Sequence, residues 1–129
     1  MTRIPDGRTC LAAFHALAAL MGFAFTVIVW SGGSPVSPEL YGEAVYAIPA
    51  IVWGLTQMSL GATVTAAMMA RKPVVLSIAA FLSMLYYAAL GSLAIRADQG
   101  TLVAIGAFFI MLPPSVLTCW LARDLGSDP

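Results

Sequence analysis

The residues of this chain with chemistry to offer are few: His15, Gln57, Tyr87, the pair Pro113-Pro114, and two cysteines, Cys10 and Cys119. An imidazole can carry a proton or bind a metal. His15, however, is the single histidine, and no carboxylate lies near it in sequence to complete a ligand set or an acid–base pair. Gln57 and Tyr87 offer neutral donors and acceptors, suited to binding and register rather than to bond breaking. The prolines matter through the backbone, because they leave the carbonyls of Phe109 and Ile110 without their helical donors. The cysteines have no C-x-x-C or Cys/His spacing and read as small buried hydrophobes. There is no phosphate-binding glycine loop, no serine–histidine–acid order and no zinc spacing. The residues therefore predict a protein that is not an enzyme and holds no metal or cofactor. A fold could assemble Tyr87, Ser83 and His15 into a site, but their spacing does not require it.

The elements that must position these groups follow from composition. In 129 residues the chain is 60% hydrophobic and 9% charged, with a mean hydropathy of +0.91. Ordinary soluble domains are roughly 25% charged, and a small domain buries only about two-thirds of its chain surface. Lipid is therefore the expected solvent. Six basic and six acidic residues balance, so no basic stripe is available for nucleic acid.

Four uncharged runs can each cross a hydrocarbon core of about 30 Å as a helix: residues 10–30, 46–70, 74–95 and 101–122. The fold class expected is all-α, a single domain over 1–129 built as a four-helix transmembrane bundle. The charged lead before the first run also suits a secretory signal, but the run exceeds a typical signal core and is read as a membrane helix. Ser31 to Pro35 ends the first helix with turn-forming residues. Ser37-Pro38-Glu39 is a helix start, so residues 38–48 are expected to form an interfacial extension with Tyr41 and Tyr46 at headgroup level and a bend at Pro49. Arg71-Lys72-Pro73 is a tight turn, and Pro113-Pro114 is expected to kink the fourth helix.

The hub is the second run. Ala50, Gly54, Gln57, Gly61 and Thr65 recur at intervals of three and four and share one face; Thr56, Ser59, Thr63 and Ala67 form another about 100° away. Small residues let helices approach closely in lipid, so two faces predict two neighbours. His15, Ala19, Gly22 and Thr26 line one face of the first helix, and Ser83, Tyr87 and Gly91 one face of the third, with Tyr86 beside it. An unpaired amide in hydrocarbon costs several kcal/mol. Gln57 is thus expected either to fix helix register through a hydrogen bond, with the freed carbonyls of Phe109 and Ile110 as candidate partners, or to line a polar path. His15 is expected to reach the interface or a neighbouring hydroxyl.

Basic residues near span ends are held on the cytoplasmic side. With both termini cytoplasmic, Arg3, Arg8, Arg71, Lys72 and Arg123 lie inside and only Arg96 outside. Abundant Ala, Gly and Val fit a GC-rich bacterial genome or its phages, and the expected location is the bacterial inner membrane. Four short spans in a chain of this length resemble the small multidrug transporters. That family depends on a glutamate in its first helix, where this chain has His15 and no acid, so the resemblance is one of topology and its coupling mechanism does not carry over. No acidic or basic side chain falls inside any run, although coupled transporters usually carry one. The function expected is helix packing, as an accessory subunit or self-associating scaffold, a homo-oligomer or a companion of other transmembrane subunits. Alternatives are a holin-like pore, or a small transporter or channel using Gln57, His15 and the Pro113-Pro114 break.

Overall fold

The computed structural model describes residues 7–32, 48–96 and 101–127, and those residues are helical apart from short connections. Helix α1 is Gly7–Trp30, α2 is Ala50–Met69 and α3 is Pro73–Ala94. The fourth apolar segment is continuous but changes register: α4 (Thr101–Ile105), a π-helical turn (Gly106–Met111) and α5 (Leu112–Ser127). Four helices are long and apolar enough to cross a membrane: Gly7–Trp30, Ala50–Met69, Pro73–Ala94 and Val103–Asp124. In each, at most 33% of the most apolar stretch is buried inside the protein. Leu17, Met21, Phe81, Ile110 and Trp120 are instead exposed, as a hydrocarbon solvent requires and water would not tolerate over so large an area. The expected extension over 38–48, with Tyr41 and Tyr46, lies outside the described residues but for its last position; α2 starts directly after Pro49.

The turn between α2 and α3 satisfies the helix end through its backbone. Lys72 N–H donates to Ala67 O (2.9 Å) and Arg71 N–H to Met68 O (3.3 Å), the paired bonds of a Schellman ending. Arg71 occupies the left-handed position, φ 54°, where glycine is usual. Pro73 then begins α3, where its missing N–H is no loss.

Around the bundle α1 lies against α2, α2 against α3, and α3 against the fourth helix; α1 meets the fourth helix mainly through α5. The core sits at the end nearest the Arg71 turn. There Val64, Ala67 and Met68 of α2, Leu76 and Ala79 of α3 and Ala122 of α5 are buried together, with Leu11 and Ala12 of α1 and Leu121 packed on them. All four helices meet at that end. Towards the other end α1 and the fourth helix have little contact.

The fourth segment also carries a register change that its residue spacing does not announce. Pro113 and Pro114 occupy the first turn of α5, and the irregularity precedes them. Neither proline has an N–H for Phe109 or Ile110, and a proline ring also crowds the carbonyl four residues before it. In the π turn Leu112 N–H donates to Ala107 O rather than to Phe108. Widening the turn spreads the defect over the segment before the prolines.

Candidate functional site

The predicted face of α2 is the one that meets α1, and its glycines permit the contact. A Cβ built on Gly61 would lie 2.6 Å from His15 O and 2.8 Å from Ala19 N; one on Gly22 would lie 2.6 Å from Met58 N and 2.9 Å from Gly54 O. A Cβ on Gly54 would collide with Thr26 Oγ1. Thr65 Oγ1 donates within its own helix to Gly61 O at 2.8 Å and approaches Ala12 O at 3.5 Å. The second face is different. Ala67 is buried, but Ser59 and Thr63 are exposed; α2 reaches α3 through Trp53, Gln57 and Val64 instead. A small side chain loses little by facing lipid, so spacing alone did not separate this face from a covered one.

Two polar ties cross the bundle. His15 Nε2 lies 2.9 Å from Thr118 Oγ1, and both residues are almost completely buried. Thr118 spends its single hydroxyl proton on Pro114 O at 2.7 Å. Its oxygen must therefore accept, and the His15 proton sits on Nε2. The second tie is Gln57. Its Nε2 donates to Ala18 O at 3.0 Å, and its Oε1 accepts from Tyr86 Oη at 3.4 Å. The single Tyr86 hydroxyl proton is shared with the nearer Trp53 O at 3.2 Å, and the ring is tilted against Trp53 and edge-on to Tyr87. The expected partners Phe109 and Ile110 are not those Gln57 uses. The Ala18 carbonyl on the adjoining helix is within reach and takes the amide proton instead.

The cysteines are free. Cys119 is half-buried with its sulfur 3.5 Å from Met84 Sδ. Cys10 is exposed, contrary to the buried role expected of it: it lines an open groove with Leu117, Trp120 and Leu121 of α5 rather than packing into the core.

Where α1 and the fourth helix part, a cavity of about 450 Å³ opens. Its walls are Phe14, Leu17 and Met21 of α1 and Gly106, Ala107 and Ile110 of the π turn, with Gln57 and Tyr87 also reaching it. Sequence reasoning singled out Gln57 and Tyr87 but missed Thr118 and the π turn. Thr118 lies 103 positions from its partner, and no local pattern announces such a pairing. His15, Gln57 and Tyr87 are thus placed by separate contacts rather than gathered into one reactive cluster, and among the described residues no three His, Cys, Asp or Glu side chains are grouped to hold a metal. Compared with protein-family models, with curated proteins and with solved structures, the chain matches none.

Proposed function

We propose that the chain is a small, non-enzymatic integral membrane protein that acts by helix packing, as an accessory subunit or self-associating scaffold. The supporting observation is the uncovered stripe on α2. Ser59, Ala62, Thr63 and Ala66 follow one another at helical spacing and all are exposed, although the other small face of the same helix is consumed by α1. In lipid, close backbone approach and interhelical hydrogen bonds drive association, and a stripe of small and hydroxyl side chains suits a further transmembrane helix. In this reading the protein sits in a bacterial inner membrane with both termini cytoplasmic, and its fourth helix bends near Pro113-Pro114.

The test is assembly. Blue-native electrophoresis and cross-linking in mild detergent should show a complex, either homo-oligomeric or with another membrane subunit. The double variant Ala62→Leu/Ala66→Leu should dissociate it while the thermal unfolding of the protomer stays unchanged. A strictly monomeric wild-type protein with no co-purifying subunit overturns the reading.

A further inference from the structure

The cavity between α1 and the fourth helix has a feature that packing alone does not explain. Tyr87 is only 4% exposed. Every fully buried side-chain nitrogen and oxygen among the described residues has a hydrogen-bond partner. The Tyr87 hydroxyl makes no such bond to any described residue, so its oxygen opens onto the cavity that Tyr87 lines. Gln57, which lines the same cavity, spends one amide proton on Ala18 O and keeps a second. Two neutral donors therefore border a chamber whose other walls are apolar, and a donor left unused in hydrocarbon is costly.

We propose that this cavity binds a neutral lipophilic carbonyl compound, its oxygen accepting from Tyr87 Oη and the Gln57 amide and its apolar body lying between α1 and the π turn. A volume of about 450 Å³ is within the usual range for small-molecule sites, and the pattern of apolar walls with few polar groups is the usual one. Access is from the bilayer: Leu17, Met21 and Ile110, which line the cavity, are all more than half exposed. At the other end the His15–Thr118 contact joins α1 to α5. Depth selects the source. Gln57 and Tyr87 lie roughly 18 Å and 21 Å along their helices from the Arg71 turn, inside a hydrocarbon layer of about 30 Å. Phospholipid ester carbonyls stay at the edges of that layer, so a free ketone or quinone dissolved in it fits the donors better.

The protein in phosphatidylcholine nanodiscs would be titrated with dodecan-2-one and with n-dodecane, reading the rise in unfolding temperature. The ketone should bind about fivefold more tightly than the alkane, the value of one net hydrogen bond. Tyr87→Phe should erase that preference. Gly106→Leu should abolish both shifts, because a Cβ at Gly106 meets no atom within 4 Å and a side chain there has room to fill the cavity. Equal shifts from ketone and alkane in the wild-type protein overturn the proposal without reference to any variant. So does a ketone preference that survives Tyr87→Phe, or a tightly held phospholipid, detected by mass spectrometry, that the ketone fails to displace.

Discussion

His15 Nε2 and Thr118 Oγ1 lie 2.9 Å apart and tie the first helix to the last across 103 positions. Because Thr118 already donates to Pro114 O, the imidazole supplies the proton. Thr118→Val keeps the shape and removes the acceptor, leaving a buried N–H unpaired, and should destabilise the bundle by about 1–3 kcal/mol. Thr118→Ser retains the hydroxyl and should recover most of that loss. Unfolding by sodium dodecyl sulfate in mixed micelles, followed by circular dichroism, measures both.

The glycines separate by what each would strike. Gly22 and Gly61 face backbone atoms of the neighbouring helix at 2.6 Å, and backbone cannot move aside without parting α1 from α2. Gly22→Ala and Gly61→Ala should each cost about 1–3 kcal/mol, as overpacking does. At Gly91 the obstacle is the far edge of the Phe108 ring, 2.8 Å away; the ring can rotate, so Gly91→Ala should cost less. Gly106→Ala meets nothing, and the better helix propensity of alanine should make it neutral or stabilising by up to about 1 kcal/mol. The same unfolding measurement orders the four, and an equal cost at Gly61 and Gly106 would refute this account of the interface.

Most of the architecture was legible because lipid constrains it strongly. Apolar runs long enough to cross had to be helices, and Gly54, Gln57 and Gly61 shared a face whatever their neighbour. What was not legible depended on which helix came next. The three-to-four spacing of Ser59 and Thr63 looks the same on a covered face as on an open one, and the Gln57 amide had several carbonyls at plausible depth. The π turn was hidden for another reason. Gly106–Met111 carries no signature of its own, and the prolines that border it, Pro113 and Pro114, lie downstream.

Gln57 can be tested as a register device against a path-lining group. Both ends of its amide are engaged, at Ala18 O and Tyr86 Oη, so Gln57→Leu should lower stability by roughly 0.6–2 kcal/mol. Gln57→Glu should be worse, since it sets a second acceptor against the Ala18 carbonyl. Tyr86→Phe should cost less than either, because the one proton it removes is shared between two long contacts, 3.2 Å and 3.4 Å. A Gln57→Leu protein with unchanged stability would leave the amide without a structural role.

Orientation is open to direct measurement because Cys10 is exposed at the start of α1 while Cys119 is half-buried against Met84. Arg96 is exposed just beyond α3, at the opposite face if successive spans cross in opposite directions. Replacing it removes the single basic residue assigned to the outside, so Arg96→Cys can only strengthen the charge asymmetry that sets orientation. In a Cys119→Ala background, a membrane-impermeant maleimide applied to spheroplasts should label Arg96→Cys and spare Cys10. Inside-out vesicles should reverse the pattern, with Cys10 labelled and the introduced cysteine protected. Labelling of Cys10 from the outside would place the termini on that face, contradicting the charge asymmetry of Arg3, Arg8, Arg71, Lys72 and Arg123.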